Sequence, residues 1–384
     1  MTLRGSFSVL GLAVLSGACS LSPDMERSVP TGVCPGDRFV GFGPGDTTSV
    51  RWYRASEDRD NRLSSRWCAT VGEAVLHFEP RAEFAPWERG VGVEVASWNM
   101  QINGGDLYGF MAGEFGLDCS GEHPRIEAGR PPFVLLLQEA WRYSDELPFT
   151  GSGRHVPWTI DEEQDAWDPA APRPVLEGEH DIVETAEACG LSLVYVPSAR
   201  NGPDTGERPR EDKGNAILSS LPLSTPIALD LPLEGGRKVA VAATILAPGG
   251  ERVRVVSAHL DVASTLVRAL VSGNQTRARQ ARGLIDGLAR AERDGPGTEV
   301  VVVGGDFNAW VGNETTLKLM RQAFPESPPW DGLGTRGSFP PDHMYFRRGS
   351  SRAFTVESYE RIGELYGSDH NARRLRLRYA PVGG

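Results

Sequence analysis

Hydrophobic positions along the chain fall into short runs whose spacing predicts mainly β-strands. The run Val300–Val303 is too short to suggest a helix, and its β-branched side chains favour a strand buried on both faces. Gly304 and Gly305 end this strand, and Asp306 and Asn308 follow at once. A buried strand that ends in this way delivers two oxygen-bearing side chains to one sheet edge, where α/β proteins commonly bind ligands. An ordinary Asn/Asp turn is the alternative explanation.

Other apolar runs predict the rest of the strands. Val91, Val93 and Val95 alternate with small or polar residues and predict a strand ending at Asn99. Further strands are predicted at 38–42, 74–78, 133–139, 191–196, 215–219, 227–231, 238–246, 252–258, 344–346, 354–356 and 375–379. Pro and Gly turns separate the four strands between 215 and 258, which are therefore expected to be antiparallel neighbours.

Two segments have helical character. Residues 181–189 suit a short helix that stops at Gly190. Asn274 is expected to cap a longer helix, whose apolar stripe has helical spacing. That stripe consists of Ala278, Ala281, Leu284, Ile285 and Leu288.

The N-terminus has the pattern of a secretory signal. Arg4 precedes an apolar run at 7–15, and small residues lead to Cys19. The run is too short to span a bilayer. Residues 15–19 resemble a bacterial lipobox, which implies removal of residues 1–18 and lipidation of Cys19. We therefore expect an outer-membrane lipoprotein of the bacterial cell envelope, periplasmic or surface-exposed, with plain secretion as the alternative.

Composition and cysteine content refine the domain plan. The 384 residues are 40% hydrophobic and 24% charged, enough for one large domain, and the net charge of −11 argues against a nucleic-acid-coating protein. Residues 19–33 resemble a tether, 34–90 a cap or extra strands, and 91–384 the main domain with an inserted loop at about 142–178. Four cysteines besides Cys19 allow three disulfide pairings, of which sequence order favours Cys34–Cys68 and Cys119–Cys189. Their spacing fits no zinc site.

Polar groups stand at many of the predicted strand ends. They are Asn99, Glu139, Asn215, His259, Asp306, Asn308, Asp342, Asp369 and His370. Acids and amides suit Mg²⁺, which prefers oxygen ligands, and histidines can exchange protons near neutral pH. Each residue has an ordinary structural explanation when taken alone. Together they predict an active site assembled on a mixed sheet.

The motifs around these residues resemble one known family. The series Ser-Trp-Asn at 97–99, Gln-Glu at 138–139, Gly-Asn-Ala-Ile-Leu-Ser at 214–219, Ala-His-Leu at 258–260, Gly-Asp-Phe-Asn at 305–308, Asp-His-Met at 342–344 and Ser-Asp-His at 368–370 is similar to the endonuclease/exonuclease/phosphatase superfamily. The motifs occur in the family's order over residues 91–379. The resemblance implies an α/β, DNase I-like fold, a four-layer sandwich of two mixed β-sheets flanked by helices.

The resemblance also implies a role for each residue. Asn99, Glu139 and Asp369 would bind Mg²⁺, with Mn²⁺ or Ca²⁺ as alternatives. Asp306 and Asn308 would position the attacking water and the scissile phosphate. His370, oriented by Asp342, would act on the water or the phosphate, while His259 and Asn215 would contact other phosphate oxygens. The implied reaction is in-line attack of water on a phosphoester.

The substrate stays open at this point. A nuclease is favoured slightly, by the branch that the motifs resemble and by basic residues suited to a nucleic acid, namely Arg200, Arg208, Arg210, Lys213, Arg336, Arg347, Arg348 and Arg352. A lipid-directed enzyme, acting on sphingomyelin or phosphoinositides, is the alternative, supported by the expected anchor and by Trp158 and Trp167. A non-catalytic binding protein on the same scaffold is the third class. A monomer is expected.

Overall fold

The main part of the chain is described by a computed structural model. It covers residues 37–39, 49–53, 71–81, 84–101, 104–145, 147–148, 181–200, 210–233, 237–262, 273–295, 297 and 300–380. Residues 31–384 form one compact unit that contains all the described elements. Because this unit has its own hydrophobic cores, it can fold independently of the residues before it. Within the described ranges, no helix combines the length and apolar character needed to cross a bilayer.

Several sequence-based expectations lie outside the described residues. They concern the signal segment, Cys19, the tether at 19–33, the pair Cys34–Cys68, and Trp158 and Trp167. The second expected disulfide is confirmed, because Cys119 and Cys189 are bonded with their Cα atoms 5.0 Å apart.

Two large mixed β-sheets make up the fold. One has eight strands in the order β1-β3-β8-β9-β7-β4-β16-β15, the other six in the order β14-β13-β12-β11-β10-β2, and β5 and β6 form a small separate ribbon. The strands are β1 Asp37–Phe39, β2 Arg51–Tyr53, β3 Ala74–His77, β4 Gly92–Asn99, β5 Leu117–Asp118, β6 Arg125–Ile126, β7 Phe133–Tyr143, β8 Ser192–Arg200, β9 Glu211–Ser219, β10 Ser224–Asp230, β11 Val239–Leu246, β12 Arg252–His259, β13 Val300–Asp306, β14 Asp342–Arg347, β15 Phe354–Arg361 and β16 Arg373–Tyr379.

Four helices lie on the outer faces of these sheets in the described part of the chain. They are α1 Leu107–Phe115, α2 Ile182–Cys189, α3 Gly273–Asp294 and α4 Thr315–Ala323. Apolar side chains of α1 and α2 pack on the eight-stranded sheet, and those of α3 and α4 pack on the six-stranded sheet. A third apolar cluster fills the space between the sheets. The result is the four-layer sandwich expected from the motifs.

Strand β13, which contains the four valines, is buried on both faces, so its sequence does not alternate between apolar and polar residues. Val300 and Val302 face the core between the sheets, whereas Val301 and Val303 face the layer of α3 and α4. Both faces of β13 are therefore covered, as the uninterrupted valines predict. Gly304 follows because a side chain there would overlap Ser97 of the other sheet, with a Cβ only 2.7 Å from the Ser97 Cβ.

The strand register brings the ends of three neighbouring strands together. His259 of β12 pairs with Asp306 of β13, and Asp306 pairs with Asp342 of β14. In the other sheet, Asn99 at the end of β4 pairs with Gln138, the neighbour of Glu139 on β7. The predicted site residues from both sheets thus lie at one end of the sandwich.

The observed elements differ from the predictions in several places. Strand β9 belongs to the eight-stranded sheet and β10 to the other, so the expected run of antiparallel neighbours holds only from β10 to β12. Strand β7 extends to Tyr143, two residues into the expected insertion. Helix α3 includes Gly273, so Asn274 lies inside its first turn rather than at the cap. Strands β1 to β3 come from the segment 34–90: β3 and then β1 extend one side of the eight-stranded sheet, and β2 forms an edge of the six-stranded sheet.

Candidate active site

The ring of His370 is held by a buried acid. Its Nδ1 lies 2.8 Å from Asp342 Oδ2, and the same carboxylate oxygen accepts a 2.5 Å hydrogen bond from the Thr335 hydroxyl. Burial alone lowers the pKa of His370, but the nearby carboxylates, Asp342 first, outweigh it and raise the pKa to about 9. Nδ1 therefore carries a proton toward Asp342, and Nε2 is left for chemistry.

Asp306 lies at the centre of the group. Its Oδ1 accepts the backbone N–H of Asn308 at 2.8 Å, and its Oδ2 accepts the side-chain amide of Asn99 at 2.9 Å. Burial, and then the like charge of Asp342, raise the pKa of Asp306 to about 7. A carboxylate with a pKa near neutrality is suited to accept a proton from water.

Two site residues have backbone conformations that residues other than glycine rarely adopt. Glu139 has φ 55° and Asn308 has φ 47°, both in the left-handed region. Glu139 lies where the pairing of β7 with β9 shifts register, between Leu137 and Ala140. Such a bulge redirects a side chain out of the regular alternation of a strand. Strained backbone at two neighbouring polar residues is a common property of functional sites.

His259 is surrounded by charged groups. Its Nε2 lies 3.1 Å from Lys238 Nζ, 3.7 Å from Asp306 Oδ2 and 3.9 Å from Glu139 Oε1. Burial, followed by Lys238, keeps the pKa of His259 well below 6.5, so the ring is neutral at pH 7. Because the Lys238 ammonium can only donate, Nε2 is the acceptor and the ring proton belongs on Nδ1.

Glu139 stays ionised among these groups. Burial would raise its pKa, but Lys213, Lys238 and His370 outweigh that effect and lower it. Burial also lowers the pKa of Lys213 to about 8. The Glu139 side of the site therefore combines an ionised carboxylate with two ammonium groups.

The segment around His370 is tied to the end of β4. The Ser368 hydroxyl donates to the Asn99 carbonyl at 2.7 Å and accepts the His370 N–H at 3.0 Å. The Trp98 indole donates to the His370 carbonyl at 2.9 Å. These bonds fix the Ser-Asp-His motif against the eight-stranded sheet.

Asp369 and Asn215 have partners of their own. Asp369 forms an ion pair with Arg336, and its Oδ1 lies 3.7 Å from His370 Nε2. The Asn215 amide donates to the Val239 carbonyl at 2.6 Å and so links β9 to β11 across the two sheets. Asn308 donates its amide to the Leu260 carbonyl at 3.0 Å. Asn215 therefore has a structural contact besides its predicted role toward substrate.

The donor set fits a hard divalent cation. Ligand atoms of Asp306, Asp342 and His370 lie within 4.8 Å of one another. No group of the described residues forms a hydrogen bond with the buried oxygens Asp342 Oδ1 and Asp369 Oδ1. The carboxylates of Asp306 and Asp342 offer oxygen donors close together, which suit Mg²⁺, Mn²⁺ or Ca²⁺. A cation there would offset the like charge of Asp342, which adds to burial in raising the Asp306 pKa.

The basic residues suggested for a nucleic-acid groove are scattered. Lys213 and Arg336 lie at the site, through Glu139 and Asp369. Arg347 instead pairs with Glu292 of α3, and Arg200 is buried. Arg208 lies outside the described residues.

Sequence reasoning missed two residues of the site. Thr335 binds Asp342, and Lys238 binds His259, yet neither belongs to a motif. Thr335 precedes Asp342 by seven residues in a turn-rich segment, and Lys238 directly precedes β11. Only the fold brings them to the site, so the sequence carried no signal for them.

Three comparisons with known proteins concern the whole chain. The human Nocturnin catalytic domain with bound sulfate is 16% identical, covering 77% of this chain and 97% of its own, with a TM-score of 0.45. An endonuclease/exonuclease/phosphatase from Beutenbergia cavernae is 15% identical, covering 76% and 72%, with a TM-score of 0.47. The comparison with curated proteins found no match. A family model described as Endonuclease/Exonuclease/phosphatase family matches residues 96–370, more than half of the chain. The chain therefore belongs to the endonuclease/exonuclease/phosphatase family.

Proposed function

We propose that this protein is a divalent-metal-dependent phosphodiesterase. The observation that carries the proposal is the convergence of Asp306, His259, Glu139 and the Asp342–His370 pair at one end of both sheets. These groups offer an acceptor for a proton of water and a protonated imidazole beside it. Membership of a family of phosphoester hydrolases supports the same reaction.

Each residue has a chemical role in this proposal. Glu139, Asn99 and Asp369 would hold the metal, with Asp342 Oδ1 as a further free oxygen. A bound Mg²⁺ would neutralise charge that develops on the phosphate and the leaving oxygen. Asp306, fixed by Asn99 and Asn308, accepts a proton from the attacking water as the water oxygen bonds to phosphorus. The P–O bond to the leaving group breaks on the opposite side of the phosphorus.

The two histidines have different roles in this proposal. His370 is charged at neutral pH in the metal-free protein, so its Nε2–H can donate to a phosphate oxygen. His259 is neutral and holds Lys238, which places an ammonium group on the Glu139 side of the site. Asn308 and Asn215 would contact further oxygens of the substrate.

The finer parts of the proposal come from the sequence. Nucleic acid is the first candidate substrate because of the motif resemblance, and a phospholipid or inositol phosphate is the alternative. Location outside the cytoplasm, on a lipid attached to Cys19, rests on the lipobox-like segment. Mass spectrometry of the native N-terminal peptide tests it, since an unmodified secreted product would contradict lipidation.

Hydrolysis of bis(p-nitrophenyl) phosphate by the purified protein tests the reaction itself. We expect activity with Mg²⁺, its loss in EDTA, and a fall of about a hundredfold or more in Asp306→Ala and His370→Ala. Asp118→Ala is the matched control, since Asp118 is an exposed acid of the separate β5–β6 ribbon. Full activity in either site variant, or in EDTA, would contradict the proposal.

A further inference from the structure

Large exposed hydrophobic side chains are concentrated around the candidate active site. In the described part of the chain they are Leu246, Val262, Val311, Trp330, Leu333, Phe339 and Leu365. Leu246 stands at the far end of β11. Val262, Val311, Trp330, Leu333 and Phe339 lie in segments joined to a strand end that carries a site residue, and Leu365 lies in the loop that itself carries Asp369 and His370. Soluble proteins scatter such residues singly, whereas a cluster beside a site marks a binding surface.

Five residues of two loops form a continuous surface, here called the apolar rim. The rings of Trp310 and Phe339 are 5.1 Å apart, and Val311 follows Trp310 in the chain. The Trp330 ring lies beside Gly312, and its indole donates to the Leu333 carbonyl at 3.1 Å. Val311 and Phe339 are 53% and 51% exposed, so the rim presents aliphatic and aromatic surface to solvent.

Buried polar contacts hold the first loop of the rim in place. Glu314 Oε1 accepts the backbone N–H groups of Trp310 and Val311 at 2.8 and 3.1 Å. Arg277, itself buried, binds the other oxygen of Glu314 at 2.7 Å. This loop is therefore already ordered in the absence of a ligand, which lowers the entropic cost of binding one.

The second loop is fixed in the same way. The backbone N–H groups of Thr335 and Arg336 donate to the Phe339 carbonyl, and Arg373 donates to the Leu333 carbonyl. The loop also carries Thr335, which binds Asp342 of the site. Exposed apolar groups on a rigid loop are costly in water, so a partner that covers them is expected.

Arg336 joins the rim to the site. Its guanidinium pairs with Asp369 and lies 6.0 Å from the centre of the Trp310 ring. A ligand whose phosphate occupies the site would thus have its apolar part beside Trp310 and Phe339. The rim's own cation is already neutralised by Asp369, so the rim offers little to a run of phosphates, which needs basic surface.

We propose that the apolar rim seats the enzyme on a phospholipid surface, so that the phosphoester cleaved lies at a lipid–water interface. This inference rests on the proposed phosphodiesterase function and, because of the rim, favours its second candidate substrate, a phospholipid, over nucleic acid. Leu and Val side chains bury in hydrocarbon, and the indoles of Trp310 and Trp330 suit the polar boundary of a bilayer. Stacking of nucleobases would use the rings but not Val311 and Leu333.

Partition of residues 31–384 onto phosphatidylcholine vesicles tests the inference, because this compact unit lacks both Cys19 and the apolar signal run. We expect Leu333→Ser/Phe339→Ser to lower the partition coefficient about tenfold or more, from the apolar area that the two side chains would bury. Leu246→Ser is the matched control, a leucine away from the site that is 57% exposed against 46% for Leu333, and should bind as the wild type does. Thermal unfolding checks that each variant folds, and Phe339→Ser alone repeats the test with a smaller change.

The outcomes separate this inference from the proposed function. Hydrolysis of bis(p-nitrophenyl) phosphate by a wild type that does not bind vesicles would overturn the rim while leaving phosphodiester hydrolysis intact. Equal vesicle binding by the double variant and Leu246→Ser would also overturn it. Loss of binding to a single-stranded oligonucleotide by the double variant, with vesicle binding unchanged, would assign the rim to nucleobases instead.

Discussion

Replacing Asp342 by Asn removes the carboxylate that holds the charged ring of His370. Only 3% and 1% of the His370 and Asp342 side chains are exposed, so solvent screens the pair little. Burial lowers the His370 pKa, and Asp342 is the largest contribution that raises it, to about 9 from 6.5. At 1.36 kcal/mol per pKa unit, this difference corresponds to about 3 kcal/mol of stability in the metal-free protein. Asp342→Asn should lose most of it.

The loss should depend on pH in a definite direction. The folded-state pKa of His370 is raised, so its stabilisation is complete below pH 6.5 and disappears as pH rises through about 9. The pKa of Asp306 is raised from 3.8 to about 7, so its ionisation destabilises the folded state as pH rises between those values. Removal of the Asp342 charge relieves part of that destabilisation. Both effects make Asp342→Asn most destabilising near pH 6 and least above pH 9.

Urea unfolding in EDTA, followed by tryptophan fluorescence at pH 6 and pH 9.5, measures the effect. Asp331→Asn provides the control, since Asp331 pairs at 2.6 Å with Arg373, whose charge does not change over this range. Its loss of unfolding free energy should be the same at both pH values. If Asp342→Asn also gave equal losses at both, the ion pair with His370 would not be the source of the stabilisation.

Three further predictions concern the metal, Thr335 and the disulfide. Mg²⁺ should raise the Tm of EDTA-treated protein more at pH 8 than at pH 6, because Asp306, with a pKa of about 7, is ionised only at the higher pH; equal shifts would contradict this. Thr335→Val removes a 2.5 Å hydrogen bond to Asp342 and should lower kcat about tenfold, while Thr335→Ser restores it. Cys119→Ala/Cys189→Ala opens a loop of sequence separation 70 and should lower the unfolding free energy by about 4 kcal/mol in urea titrations; an unchanged midpoint would refute that.

Buried strands were predictable because burial on both faces requires apolar residues at every position. The Val300–Val303 run must be covered on both faces, and the observed strand contains it, but this strand continues through Gly304 and Gly305, which were expected to end it, to Asp306. Helix α2 was equally clear, with Asp181 accepting the Glu184 N–H at its start and Gly190 left-handed at its end. Helices α1 and α4 were missed. Helix α1 is apolar all round and so shows no helical stripe, although Asp106 caps its start and Gly116 is left-handed at its end. Helix α4 lacks a side-chain cap bond, so its start carries no such signal.

Sheet membership could not be predicted from local pattern. Strands β9 and β10 are separated only by residues 220–223, yet they belong to different sheets. A short turn between strands favours pairing, and here packing of the two sheets overrides it. The same limit applies to Lys238 and Thr335, whose partners lie on other strands and loops.

The left-handed backbone of Glu139 has a consequence for engineering. Glycine adopts φ 55° without penalty, so Glu139→Gly would relieve backbone strain in the apo protein, while losing the attraction of the ionised carboxylate to Lys213 and Lys238. It would also remove a proposed metal ligand. A ranking of variants by thermal stability alone would therefore report the balance of these two effects at Glu139 and would not register the loss of the metal ligand. Screens for robust forms of this enzyme should hold Glu139 fixed.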